Sequence, residues 1–122
     1  MQGYAKRWMF PNGLGVSIVH HEGSMGCDMG YFECALLARR KNFGVGEYRI
    51  VETFGHLPFP AVDEVLLYVY KIPQDQADDI KDNDEGVEVA VGRKIVGIRE
   101  TYRIARWQDR LHTYAEKGNL TH

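Results

Sequence analysis

The first part of the chain alternates apolar and polar positions in the manner of β-strands. Leu14, Val16 and Ile18 fall on one face of a predicted strand. The preceding Pro11-Asn12-Gly13 suits a tight turn, because Asn and Gly accept positive φ values that match the twist of a hairpin. Together with Arg7–Phe10 on the other side of the turn, this pattern predicts a β-hairpin.

Two further strands are predicted over residues 31–38 and 47–53, which extends the hairpin into an antiparallel meander. Residues 55–60 contain two prolines, so we expect a connector there. The apolar positions of residues 62–72 fit a helical face and a strand equally well, and both interpretations stay open. Pro73 is expected to open a short acidic helix that runs through Asp82.

The C-terminal part combines a strand-like and a helical pattern. Val87, Val89 and Val91 alternate with other residues, and a turn at Gly92-Arg93 leads to a further predicted strand over residues 94–98. The final segment repeats apolar residues at helical spacing: Ile104, Trp107, Leu111 and Tyr114. The predicted fold is therefore α+β, with an antiparallel meander of three to five strands packed against a long C-terminal helix in a single domain, 1–122.

Composition places the chain among soluble globular proteins. Its 122 residues suit one domain, and 44% hydrophobic with 26% charged residues argues against intrinsic disorder. The longest apolar run covers residues 65–70, far short of the about 20 residues that span a bilayer. The sequence shows no secretory signal, and two cysteines are too few for a disulfide scaffold of this size. We therefore expect a cytoplasmic protein with reduced thiols.

Residues that carry metal or catalytic chemistry are few. His20, His21, Cys27 and Cys34 are zinc-ligand types, but they lack the close pairing of structural zinc sites, so we expect no metal. Gly13-Leu14-Gly15 precedes a strand rather than a helix, which argues against a dinucleotide loop. Cys27 is the best candidate nucleophile, without a base at a recognisable spacing. The prediction is a protein without catalytic residues or cofactors, and more an interaction protein than an enzyme.

Charge is unevenly distributed along the chain. Residues 62–92 hold nine Asp and Glu against two Lys and Arg, whereas residues 93–122 hold seven Lys and Arg against three acidic residues. The two segments either present faces to different partners or lie side by side and neutralise each other, and we favour the second interpretation. Within the basic segment, four arginines recur at i, i+4, i+7 and i+11 and so form one helical stripe: Arg99, Arg103, Arg106 and Arg110.

The arginine stripe fits two kinds of partner. Arginines on a helix contact phosphates or base edges in nucleic acids, but a sequence pI near 6.2 is unlike that of a dedicated nucleic-acid binder. Arginine also concentrates binding energy in protein interfaces, and we favour that interpretation. Met25 and Met29, in the glycine-rich segment before the third strand, suit the same role because methionine adapts to a contact surface.

The N-terminal motif resembles a group of small bacteriophage proteins of unassigned function. The resemblance is carried by residues 10–19, by Ser24-Met25-Gly26 and by residues 30–35, and more loosely by residues 60–65. It covers residues 8–37 well, residues 57–80 loosely, and leaves out the C-terminal third. The resemblance implies a phage-borne protein that acts in the cytoplasm of an infected bacterium, and it implies no known catalytic residue or cofactor.

These observations favour a phage accessory protein that binds a host or phage protein without catalysis, with inhibition of a host process as one mode of action. A nucleic-acid-binding regulator that uses the basic C-terminal helix is the first alternative. A protein that binds or sequesters a small molecule between sheet and helix is the second. A homodimer is also considered, because a domain this small covers apolar surface poorly and four aromatic residues lie near its predicted edges: Trp8, Phe10, Phe54 and Phe59.

Overall fold

The computed structural model describes residues 3–21, 30–40 and 47–116, with side chains as far as Ala105. In chain order the elements are β1 (Tyr4–Met9), β2 (Leu14–His20), β3 (Phe32–Arg39), β4 (Tyr48–Leu57), α1 (Phe59–Tyr70), α2 (Gln74–Lys81) and α3 (Glu85–Glu116). The strands form one antiparallel sheet in the order β1-β2-β3-β4. The predicted α+β class, the antiparallel meander and the long C-terminal helix are therefore confirmed.

The turn between β1 and β2 confirms the predicted hairpin and joins it to the helices. Asn12 is buried, and its Nδ2 donates to the carbonyl oxygens of Val69 at 3.0 Å and Ile72 at 3.1 Å. Its Oδ1 accepts a hydrogen bond from the Leu14 amide at 3.0 Å. Gly13 has a φ of 90°, which residues with a Cβ rarely adopt. The Asn-Gly pair thus forms the turn and also supplies partners for carbonyl groups at the C-terminal end of α1.

The core lies between one face of the sheet and the inner sides of the helices. Alternate residues of the strands point toward the helices, so that Val16 of β2 pairs in register with Leu36 of β3 and both are buried. Val65 of α1 and Ile80 of α2 are fully buried in the same cluster, and Ile95 joins it from α3. This single core holds all three helices against the sheet.

The segment around residues 87–98 is helical, so the hairpin predicted there is wrong. Val91 and Ile95 are both buried, and their spacing of four places them on the inner side of α3. Gly92 does not make a turn. A Cβ at that position would lie 2.6 Å from Glu52 Oε2, so the glycine leaves room beside α3 for the carboxylate of Glu52 on β4. Packing of this face overrides the strand preference of the valines.

The structure also decides the ambiguous and connecting segments. Residues 62–70 belong to α1, and Val65 lies on its buried side. The connector predicted over residues 55–60 is shorter than expected, because β4 continues through the fully buried Leu57. The short acidic helix predicted after Pro73 is confirmed as α2.

Arg49 of β4 links the sheet to the two later helices. Its Nη2 donates to the carbonyl oxygen of Ile80 at 2.7 Å, near the C-terminal end of α2, and forms an ion pair with Glu88 in the first turn of α3. Both charged side chains are largely buried. Glu88, one of the nine acidic residues of 62–92, is thus paired with an arginine of the N-terminal part of the chain.

Candidate protein-binding surface

Aromatic rings gather at the end of the sheet where β1 and β3 begin and β2 and β4 finish. We call this surface the aromatic end and define it by Tyr4, His20, Phe32 and Phe59. Phe32 is central, since its ring centroid lies 4.5 Å from that of His20, 5.5 Å from that of Phe59 and 6.0 Å from that of Tyr4. The antiparallel order of the strands brings together residues that lie as far apart in sequence as positions 4 and 59.

Two rings of the aromatic end are exposed and also packed against a neighbouring ring. Phe59 is 65% exposed and Tyr4 is 43% exposed, although both contact Phe32. Phe32 in turn packs against the hydrophobic core. Large rings that already occupy one position lose little conformational entropy when a partner covers them. Aromatic side chains of this kind are enriched in protein interfaces.

A second set of contacts attaches α3 to the same end of the sheet. His20 Nδ1 donates to the carbonyl oxygen of Tyr31 at 3.0 Å, and the Tyr31 ring meets that of His56 edge to face at 6.0 Å. The guanidinium of Arg103 lies 5.7 Å from the centroid of the Tyr31 ring. Arg103, one of the predicted binding residues, therefore lies at the margin of the aromatic end.

The arginine stripe is partly engaged within the fold. Arg99 donates from Nη1 to the carbonyl oxygen of Gly55 at 3.2 Å and from Nε to Glu100 Oε1 at 2.9 Å. Arg103 donates to the same carboxylate oxygen at 3.2 Å. One glutamate of the same helix thus pairs with two of the predicted arginines. The side chains of the other two, Arg106 and Arg110, lie outside the described residues.

The other predicted binding residues are Met25 and Met29. Met25 and Met29 belong to residues 22–29, which lie outside the described residues. The flanking residues, His21 and Gly30, directly follow β2 and precede β3.

Cys34, the cysteine within the described residues, lacks the features of a nucleophilic thiol. Cys34 is buried in the sheet, and burial raises the pKa of its thiol to about 12. The nearby charge of Arg99 lowers this pKa and that of Glu33 raises it, but burial has the larger effect. Cys34 is therefore protonated at neutral pH. The other candidate, Cys27, lies outside the described residues.

Within the described residues, His, Cys, Asp and Glu side chains form no group of three that could hold a metal ion. None of the helices in this part of the chain combines the length and the apolar character required to cross a membrane.

Small hollows lie along α3. One of about 360 Å³ is bordered by Glu64 of α1 and by Lys94 and Ile98 of α3. Two others, of about 250 Å³ each, adjoin Tyr68 and Glu52. Their size is near or below the lower limit of about 300 Å³ for small-molecule sites. They therefore do not favour the small-molecule alternative.

The aromatic residues singled out from the sequence have different positions. Phe54 lies on β4, an outer strand of the sheet, but its side chain is buried in the core and offers no exposed surface for a dimer. Trp8 and Phe10 are half-buried. Phe59 is the exposed member of that set. Ile104, which the helical pattern assigned to the apolar side of the C-terminal helix, is exposed as well.

Sequence reasoning did not identify Tyr4, His20 and Phe32 as members of a shared site. All three lie at the ends of strands on one side of the meander, which is the signal that could have grouped them. Comparisons with protein families, with curated proteins and with solved structures find no match to this chain.

Proposed function

We propose that this protein is a phage accessory protein that binds a host or phage protein in the bacterial cytoplasm, and that the aromatic end is its contact surface. One observation carries the proposal: Phe59 is 65% exposed and its ring packs against that of Phe32. Aromatic side chains, phenylalanine among them, are enriched in protein interfaces, where a few residues carry most of the binding energy. The resemblance of the N-terminal motif to small phage proteins supports the cellular setting.

The charges near the aromatic end favour a protein partner over a nucleic acid. Glu100 already accepts hydrogen bonds from Arg99 and Arg103, which reduces the positive charge available for phosphate groups. Arg103 keeps an exposed portion beside Tyr31 and can add a contact at the rim of an interface. The sequence pI of about 6.2 agrees with this preference.

The proposed mode of action is the covering of a partner's surface. The sheet and the helices share one core, so the rings of the aromatic end are carried by a rigid body. Binding then blocks whatever the covered surface of the partner does, and no covalent step is required. Inhibition of a host process is the expected consequence where that surface is a working site of a host protein.

The test compares capture by three forms of the protein from lysates of infected and uninfected bacteria. The forms are the unchanged chain, Phe59→Ser and the matched control Ile50→Ser. The exposed fraction of Ile50, 61%, is close to the 65% of Phe59. Ile50 lies on β4, where it pairs with Leu37 of β3, and it is outside the aromatic end. A captured protein is then purified and its affinity for each form is measured by titration calorimetry.

We expect one protein to be captured by the unchanged chain and by Ile50→Ser but lost with Phe59→Ser. Removal of the most exposed ring of the aromatic end is expected to weaken the measured affinity by at least about 10-fold. Equal binding by Phe59→Ser, with circular dichroism showing a folded protein, contradicts the proposed surface. Binding only to nucleic acid, with a steep loss at higher salt, contradicts a protein partner.

A further inference from the structure

The outward side of α1 carries three exposed residues at intervals of four: Asp63, Leu67 and Lys71. Positions four apart in a helix lie on the same side, so the three form one line, with Lys71 as the residue that caps the helix. Leu67, at the centre, is 50% exposed. Tyr70 is exposed beside this line, and its ring rests against that of Phe10 at 5.6 Å.

The two charges at the ends of this line have no ion-pair partner in the described part of the chain. The ion pairs recorded there join other residues, and neither Asp63 nor Lys71 takes part in them. An acidic, an apolar and a basic position thus follow one another at equal spacing. A line of this kind is complementary to itself when it is reversed.

We propose that α1 docks against α1 of a second copy of this chain, antiparallel, about a two-fold axis that passes beside Leu67. The rise of about 1.5 Å per residue places Asp63 and Lys71 each about 6 Å from that axis, in opposite directions. Asp63 therefore faces the partner's Lys71, and Lys71 faces the partner's Asp63. Leu67 contacts the partner's Leu67 between the two ion pairs, as expected for a two-fold interface.

Two further properties of α1 support this arrangement. Antiparallel helices bring the positive end of each helix dipole near the negative end of the other, which is favourable. Tyr70 adds an exposed aromatic ring at each side of the contact. A single helix of 12 residues makes a small interface, so the dimer is weak and depends on concentration.

The dimer is a separate proposal from the partner-binding function. Its central contacts involve Asp63, Leu67 and Lys71, none of which belongs to the aromatic end. Phe59 precedes Leu67 by eight residues, about 12 Å along the helix. Failure of the dimer therefore leaves the aromatic end as a candidate surface, and failure of partner capture leaves the dimer testable.

The test is sedimentation velocity of the full chain over a series of concentrations, with charge-reversed variants. We expect the unchanged chain to show a monomer–dimer equilibrium. Asp63→Lys alone and Lys71→Asp alone each turn two attractive pairs into repulsive ones, and each is expected to weaken dimerisation by at least about 10-fold. The double variant Asp63→Lys/Lys71→Asp restores the dimer. So does an equimolar mixture of the two single variants.

A matched pair of substitutions separates the apolar contact from a general effect of added charge. Leu67→Lys and Val89→Lys each place a lysine on an exposed helical position with an acidic residue four positions earlier, and the original side chains are 50% and 52% exposed. We expect Leu67→Lys to abolish the dimer and Val89→Lys to retain it, with both variants folded by circular dichroism. A chain that stays monomeric at up to about 1 mM overturns the proposal, since weaker association is negligible. A dimer that the charge reversals do not affect overturns it as well.

Discussion

Asn12 Nδ2 lies 3.0 Å from the carbonyl oxygen of Val69, so the turn of the first hairpin closes the C-terminal end of α1. Asn12→Ala removes this hydrogen bond together with those to Ile72 and Leu14. Because buried backbone groups are then left without partners, we expect the free energy of unfolding to fall by about 2–4 kcal/mol. Urea unfolding followed by circular dichroism measures this loss.

Asn12→Asp is the informative companion substitution. It keeps an oxygen that accepts from the Leu14 amide, but it loses the donor and places a carboxylate near two carbonyl oxygens. It is therefore expected to destabilise the protein as well, and more strongly once the carboxyl group is ionised. If the free energy of unfolding of Asn12→Ala lies within about 0.5 kcal/mol of that of the unchanged chain, the hydrogen bonds between hairpin and helix contribute little to stability.

Substitution by alanine is expected to change the free energy of unfolding in opposite directions at two glycines. Gly13 has a φ of 90° and Lys81 Nζ would lie 2.8 Å from an added Cβ, so Gly13→Ala should lower the free energy of unfolding by about 1–2 kcal/mol. Gly97 lies within α3 with nothing within 4 Å of an added Cβ. Gly97→Ala should therefore stabilise the protein by about 0.5–1 kcal/mol. Thermal and urea unfolding compare the two, and equal signs would contradict this description.

Arg49 connects β4 to α2 and α3 through a hydrogen bond and an ion pair, and a lysine cannot make both at once. Its guanidinium serves both the Ile80 carbonyl and Glu88, so Arg49→Lys is expected to lower the free energy of unfolding by about 1 kcal/mol. A double-mutant cycle of Arg49→Met with Glu88→Gln should give a coupling energy of about 1 kcal/mol, since methionine, unlike lysine, forms no ion pair with Glu88. Arg93→Lys, at an exposed position of α3, is the control and should have almost no effect. Additive effects of the Arg49 and Glu88 changes would show that the ion pair does not couple them.

The raised pKa of the Cys34 thiol predicts a loss of stability in alkaline solution. Folding raises the pKa of its thiol from 9.0 to about 12, so the folded state retains a proton that the unfolded state loses above pH 9. Its contribution to stability is therefore complete below pH 9 and decreases toward pH 12, by up to about 1.4 kcal/mol per pH unit. Cys34→Val removes this ionisation. Urea unfolding at several pH values should show a shallower decline for Cys34→Val, and parallel declines would contradict the assignment.

Local patterns predicted the first hairpin and the strands of the meander. The Asn-Gly turn and the alternation of Leu14, Val16 and Ile18 are contained in adjacent residues, so the sequence expresses them directly. The same alternation at Val87, Val89 and Val91 predicted a strand, and that prediction is wrong. These residues lie in α3, where Val91 and Ile95 are buried at a helical spacing of four. Those two side chains are buried by contacts with distant elements, which a local pattern does not contain.

The aromatic end is a product of the strand order. Tyr4, His20, Phe32 and Phe59 belong to four different elements, and they meet because the meander returns the chain to the same end of the sheet. The spacing of the arginines in the sequence predicted that they share one side of a helix. It did not predict that Glu100 pairs with Arg99 and Arg103. Such pairing depends on side-chain geometry beyond the spacing of the residues.

The most direct measurement of the proposed function is an NMR titration of the isotope-labelled chain with the captured partner. The ring signals of Tyr4, Phe32 and Phe59 should shift or broaden as the partner is added. The side-chain amide signals of Asn12, which lies at the opposite end of β1 and β2, should stay unchanged. Unchanged ring signals together with shifts at another surface would contradict the assignment of the aromatic end as the contact surface.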